Sequence, residues 1–134
     1  MEGCLFCKLK NGEIPSKKVH EDENVVAFLD ISPVAKGHTL VIPKNHSADI
    51  TDMNEDEITN VFRVAKKIGQ KMIETLGAEG FNINMNNKPA SGQVIFHSHV
   101  HVIPRFSDDG LKLWPGKQKY EEGEADKILE KLVF

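Results

Sequence analysis

Cysteine is nearly absent. Only two occur among 134 residues, Cys4 and Cys7, and both sit in the first seven positions. So few, placed so close together, exclude the framework of bridges that braces small secreted domains. Long apolar runs are also missing, so no segment reaches the eighteen or so residues that a membrane-spanning helix requires. No cationic stretch followed by an apolar run opens the chain. These absences predict a cytoplasmic protein with no membrane partner. Neither sign of charge dominates: 17 Lys and Arg against 20 Asp and Glu leave a net charge of -3, without the basic footprint of a nucleic-acid-polymer binder. Internal repeats, low-complexity segments and linkers are lacking too. What remains, at 40% hydrophobic residues, is the composition of one globular domain over residues 1–134, with a core at about 4–106 and a tail at 107–134.

The most informative stretch is His97-Ser98-His99-Val100-His101. Side chains alternate faces along a strand, so three histidines spaced by one residue line up on one face, with Phe96, Ser98, Val100 and Val102 on the other. A lone strand histidine is usually structural, but three in register leave six ring nitrogens to satisfy on one face. The pattern points to a site.

Val25 to Leu29 reads as a strand that Asp30-Ile31-Ser32-Pro33 would stop, and Thr39 to Ile42 as a second ended by Pro43. Met53 to Leu76 carries apolar residues at helical spacing, with Asn54 and Glu57 placed to cap its start and Gly77 its end. Phe81 to Met85 predicts a third strand and Val94 to Ile103 a fourth, separated by the turn-rich segment 86–92. Glu124 to Phe134 predicts a short terminal helix with Ile128, Leu129, Leu132 and Val133 as its apolar side. Paired strands with one helix between the pairs argue for an α+β fold, an antiparallel sheet backed by a helix.

The triad, the Gly92-Gln93 before it, Phe28-Leu29-Asp30-Ile31-Ser32-Pro33 and Gly37-His38-Thr39-Leu40-Val41-Ile42-Pro43-Lys44-Asn45-His46 together resemble the histidine triad (HIT) family of nucleotide hydrolases and transferases. The resemblance runs from Cys4 to about Trp114. It implies a five-stranded antiparallel sheet, a homodimer, and a purine nucleotide conjugate as substrate: a phosphoramidate, an aminoacyl adenylate or a diadenosine polyphosphate. It assigns the nucleophile to His99, which would form a covalent nucleotidyl-imidazole, and phosphate stabilisation to His101. Asn86 and the backbone near Gly92, Gln93 and Val94 would add phosphate donors. Asp30 would hold the ribose, and Phe6, Ile14, Phe28 and Ile31 would form the base slot. No organic cofactor is implied. The chain departs from the family pattern at two positions: Ser98 stands where an apolar residue is usual, and Val94 where many members carry a hydroxyl.

Cys4-x-x-Cys7 has the spacing of half a tetrahedral zinc site, and a redox pair or disulfide is the other reading of such spacing. Some microbial HIT proteins are similar in carrying this pair, and the resemblance completes the ligand set with His46 and His97. Such a closed set would make the zinc structural. A competing reading makes His97, His99 and His101 ligands of a hydrolytic zinc; another makes the protein a nucleotide-binding scaffold without turnover. Leu113-Trp114-Pro115-Gly116 resembles the tail of the branch that cleaves phosphorus–nitrogen bonds, which would place Trp114 on the leaving-group side of the partner's pocket; packing on its own subunit or across the dimer is the plainer alternative.

Overall fold

The structure, a computed structural model, describes residues 2–114 and 116–134. Five strands form one antiparallel sheet: β1 (Lys18–Glu21), β2 (Val25–Leu29), β3 (Thr39–Pro43), β4 (Gly80–Asn84) and β5 (Val100–Arg105), in the spatial order β1-β2-β3-β5-β4. Three helices accompany them, α1 (Leu5–Lys10), α2 (Glu55–Leu76) and α3 (Glu124–Leu132). The α+β class and the five-stranded sheet hold.

Alternation along β2 and β3 explains how this sheet is buried on both faces. Val25, Ala27 and Val41 join Val100 and Val102 beneath α2, against Val61, Val64, Ala65, Ile68 and Met72. The intervening Val26, Phe28, Leu40 and Ile42 face the opposite way and pack with Phe6 and Leu9 of α1. With both faces covered, these strands read as continuous apolar runs. β5 has α2 under Val100 and Val102, so His101 between them belongs to the α1 side.

The long helix begins and ends where its capping residues predict. Asn54 and Glu57 form a reciprocal capping box, and Gly77 closes the C-terminus at φ 69°. Gly69 lets α2 approach β4, since a Cβ there would lie 2.4 Å from the Phe81 ring. Among the described residues no helix is long and apolar enough to cross a membrane.

Two local expectations need correction, and two elements escaped prediction. The strand predicted over Val94 to Ile103 starts only at Val100 and continues to Arg105, because the preceding segment spends its polar groups elsewhere: the Ser98 amide donates to the Ser47 carbonyl at 2.6 Å and Gln93 Nε2 to the Ile95 carbonyl at 3.0 Å. The third predicted strand is shifted back by one residue, to Gly80–Asn84, in register with β5. β1 escaped prediction since Lys-Val-His-Glu is a largely exposed edge without an apolar run. So did α1, whose six residues are too few for a helical period to stand out. The terminal helix forms as expected, but none of its residues is buried.

Gly69→Ala separates propensity from packing. Helix propensity alone predicts stabilisation by about 1 kcal/mol; the Phe81 contact predicts a net loss, overpacking costing roughly 1–3 kcal/mol. Denaturant unfolding should show a lower midpoint for the variant, and a higher one would mean the helix has room to move.

Candidate active site and metal centre

On the α1 side of the sheet lies a cavity of about 380 Å³, inside the roughly 300–1,000 Å³ typical of small-molecule sites. Its wall is apolar: Phe6, Ile14, Phe28, Leu40 and Ile95 line it, with the almost fully exposed Ile31 at its mouth. Asn86, Gly92 and Val94 stand with His99 and His101 around the same space, and Asp30 is its carboxylate. The positive φ of Gly92 (101°) requires glycine where the loop turns in beside Asn86.

Hydrogen bonds fix which ring nitrogens face this cavity. His99 Nδ1 lies 2.8 Å from the His97 carbonyl, an acceptor only, so Nδ1 carries the proton and Nε2 keeps its lone pair. A second chain of bonds sets His101. The Val34 amide donates to His38 Nδ1 at 3.1 Å, which leaves the proton on His38 Nε2; that nitrogen lies 2.9 Å from His101 Nδ1 and donates to it. His101 in its neutral form therefore carries its own proton on Nε2. The two rings, 5.0 Å apart between centroids, differ in kind: His99 offers a nucleophilic lone pair and His101 a donor.

Burial keeps these rings neutral. Desolvation lowers the pKa of His99 against the pull of its carbonyl bond, and lowers that of His38 against the Asp30 carboxylate 3.7 Å away. His101 falls to about 4, through burial first and then the neighbouring His99 and His38. Asp30 is itself fixed, its Oδ1 accepting the Ser32 amide at 2.8 Å.

His97 turns away from its triad neighbours. Its Nε2 donates to the Pro43 carbonyl at 2.8 Å, so the Nδ1 lone pair is aimed at Cys4 Sγ (3.5 Å) and Cys7 Sγ (3.4 Å), with His46 Nδ1 3.4 Å from Cys7 Sγ. With metal–sulfur near 2.3 Å and metal–nitrogen near 2.0–2.1 Å, tetrahedral geometry puts sulfur and nitrogen ligands roughly 3.5–3.6 Å apart. The observed separations match, and all four ligand atoms lie within 4.8 Å of one another. Burial brings His97 to a pKa of about 4, so it is neutral and free to ligate. The set fits a zinc ion. A metal held by His97, His99 and His101 does not fit, because His97 Nδ1 points to the cysteines and His99 Nδ1 is engaged by a carbonyl.

A family model described as the HIT domain matches residues 11–108. The chain belongs to the HIT family. The uncharacterized HIT-like protein MJ0866 of Methanocaldococcus jannaschii is 44% identical over 129 residues, covering 96% of this chain and 98% of that protein. The adenosine 5'-monophosphoramidase hnt1 of Schizosaccharomyces pombe is 37% identical over 114 residues, 84% of this chain and 83% of hnt1. Among solved structures, SMU.412c of Streptococcus mutans aligns with a TM-score of 0.92 at 42% identity, covering 98% of this chain and 84% of that one. A zinc-bound histidine triad family protein of Mycobacterium smegmatis aligns at 0.80 with 36% identity, covering 96% and 91%.

Of the residues the HIT resemblance assigns to the nucleotide or its leaving group, two stand apart from the cavity. Gln93 is buried, its amide donating to the Ala48 and Ile95 carbonyls and its oxygen accepting the Lys88 amide, so its side chain braces the loop and does not line the cavity. Trp114 is largely exposed in a neighbouring groove beside Asn82 to Met85, which meets the His99 cavity only through the shared Asn86; Pro115 of the same tail motif lies outside the described residues. Ser98 points away from the cavity and accepts from Ser47 Oγ at 2.8 Å, which explains a polar residue at a buried position. Sequence reading had no role for His38. Its only signal is its place at the head of the apolar strand β3, which pairs with the triad strand so that Leu40 opposes His101. A larger groove of about 470 Å³, between α2 and the β1 side of the sheet, is lined by apolar residues with Lys67 and Lys71 and holds no comparable constellation.

His97 and His101 set a pH dependence for stability. Their folded pKa of about 4 is below the ordinary 6.5, so the stability they contribute is complete above pH 6.5 and is lost as pH falls toward 4. Unfolding free energy measured at pH 4.5 should be lower than at pH 7 by roughly 2–5 kcal/mol, and His101→Gln should remove part of that difference. An unchanged difference in the variant would mean that other groups titrate.

Proposed function

We propose that this HIT protein is a nucleotide hydrolase or nucleotidyl transferase acting at the α-phosphate of a purine nucleotide conjugate. One observation carries the reading: the Nε2 lone pair of His99 and the N–H of His101 face one cavity whose far wall is apolar and whose rim holds a carboxylate. His99 Nε2 attacks the α-phosphorus while the bond to the leaving group breaks, giving a nucleotidyl-imidazole. His101 donates its Nε2–H as a hydrogen bond to the phosphate oxygens and stabilises the charge that builds on them, while a departing phosphate leaves as the anion and a departing amine takes its proton from water. Water then attacks phosphorus, the phosphorus–nitrogen bond breaks with its electron pair returning to His99 Nε2, and the proton released passes to solvent, so that His99 is again the neutral ring. Asn86 with the backbone of Gly92 to Val94 holds the phosphate, Asp30 the ribose hydroxyls, and the slot of Phe6, Ile14, Phe28 and Ile31 the base. The name of the fission-yeast relative, a phosphoramidase, supports an amine leaving group; aminoacyl adenylates and diadenosine polyphosphates present the same α-phosphate. A homodimer, with Trp114 reaching the leaving-group side of the partner's pocket, completes the proposal.

We further propose that Cys4, Cys7, His46 and His97 hold a structural zinc, in line with the zinc-bound mycobacterial relative. The cluster ties α1, whose N-cap is Cys4, to the segment entering β5. It thereby fixes Phe6, whose ring meets the edge of His99 at 5.0 Å between centroids.

His99→Gly should lower kcat on an adenosine phosphoramidate by at least roughly a thousandfold while AMP binding stays within about tenfold; retention of a tenth of the activity would remove His99 as nucleophile. Asp30→Ala should weaken AMP more than 2′-deoxy-AMP, and equal losses would take the ribose contact from Asp30. Metal analysis should find one zinc per chain, absent from Cys7→Ser together with several degrees of melting temperature. No metal in protein purified without chelator would refute the zinc assignment.

A further inference from the structure

The loop that turns into the cavity is held in an unfavourable backbone conformation. Lys88 has φ 71° and ψ 158°, and among the described residues it is the single non-glycine with positive φ. That combination belongs to a region occupied almost solely by glycine. Pro89 accounts for half of it, since a residue preceding proline is pushed to extended ψ; nothing local accounts for the sign of φ.

The strain is held by bonds from Asp49 and Ile50 outside the loop and from Gln93 at its end. Lys88 Nζ sits 2.8 Å from Asp49 Oδ2, and the Asp49 side chain is only 6% exposed. The other oxygen of Asp49 accepts from the Thr51 amide and hydroxyl, so the carboxylate is fixed before it meets the lysine. The Lys88 amide donates to Gln93 Oε1 at 2.7 Å, and Asn87 Oδ1 accepts the Ile50 amide at 2.9 Å. Within the loop, the Ser91 and Gly92 amides donate to the Lys88 and Pro89 carbonyls. The result brings Gly92 against Asn86 at the phosphate end of the cavity. Lys88 itself does not line that cavity.

We propose that Lys88 is a positioning residue whose ion pair with Asp49 holds the 86–93 loop, against its backbone preference, in the shape that presents Asn86 and the Gly92 turn to the substrate phosphate. The proposal rests on the nucleotide reading above for the identity of the ligand. It requires the pair to matter for the phosphate and not for the nucleoside, whose slot lies on other elements. It also requires glycine at position 88 to make the ion pair dispensable, because glycine adopts this φ without strain.

Full-length Lys88→Met, Lys88→Gly and Asp49→Asn test this with three readouts: affinity for AMP against adenosine, kcat/KM on an adenosine phosphoramidate, and amide hydrogen exchange at Ser91 and Gly92 in the unliganded protein. Lys88→Met and Asp49→Asn should each lose roughly tenfold or more in AMP affinity and kcat/KM, keep adenosine affinity within about twofold, and exchange faster at both amides. Lys88→Gly should stay within about threefold of wild type throughout. Unchanged exchange and kinetics in Lys88→Met overturn the proposal. So does a Lys88→Gly as impaired as Lys88→Met, which would mean that the ammonium acts on the phosphate directly. If Lys88→Met does not fold, Asp49→Asn against Lys88→Gly makes the same comparison. Wild-type protein that binds neither AMP nor adenosine would refute the nucleotide reading, and the exchange data would still decide whether the ion pair holds the loop.

Discussion

A single hydrogen bond, from His99 Nδ1 to the carbonyl of His97, determines what chemistry the cavity can perform. An imidazole that rotated freely would present either nitrogen, in either protonation state. Here one proton is committed to a backbone acceptor and the opposite lone pair is exposed to the cavity. The same bond ties the site to its scaffold, because the carbonyl belongs to the residue whose own ring is directed at Cys4 and Cys7. Anything that displaces His97 displaces the acceptor that orients His99.

The triad thus divides its labour through hydrogen-bond partners and not through sequence alone. His97 has Pro43 on one nitrogen and thiols on the other, His99 a carbonyl and open space, His101 the buried His38 and open space. Three chemically identical side chains thus differ: one is aimed at two thiols, one keeps a lone pair open to the cavity and one offers it a donor. Burial sharpens the division by keeping the rings neutral, the state in which each has one acceptor and one donor nitrogen. The loop carrying Asn86 is fixed by a similar logic, with the charge of Lys88 anchored on a buried carboxylate outside the cavity.

Much of this was legible in the sequence where the signal was periodic or chemical. The helix after Asn54 carried its caps and its apolar stripe, and the cysteine pair carried the spacing of a metal half-site. The cavity is lined by Phe6, Phe28, Asp30, Asn86, Gly92, Val94, His99 and His101, residues that the sequence motifs single out. What escaped was set by tertiary partners. Ser98 and His97 are drawn out of the ladder by Ser47 and Pro43, so the strand starts later than alternation suggests. The side chain of Gln93 braces the loop through the Ala48 and Ile95 carbonyls, partners that lie outside any sequence pattern. His38 lies in a segment that carries the resemblance but gives it no role. Its role emerges only when the pairing of β3 with β5 sets its ring beside His101.

The central claim is that His99 forms a covalent bond to phosphorus through Nε2. Acid-free rapid quenching of the protein with an adenosine phosphoramidate, followed by mass spectrometry of the peptide spanning 97–101, tests it most directly. A nucleotidyl group on His99, formed and lost at rates that account for turnover and absent from His101→Gln only if turnover is also lost, is the result predicted here. Turnover with no adduct at any time point, or an adduct on another residue of that peptide, would contradict the account.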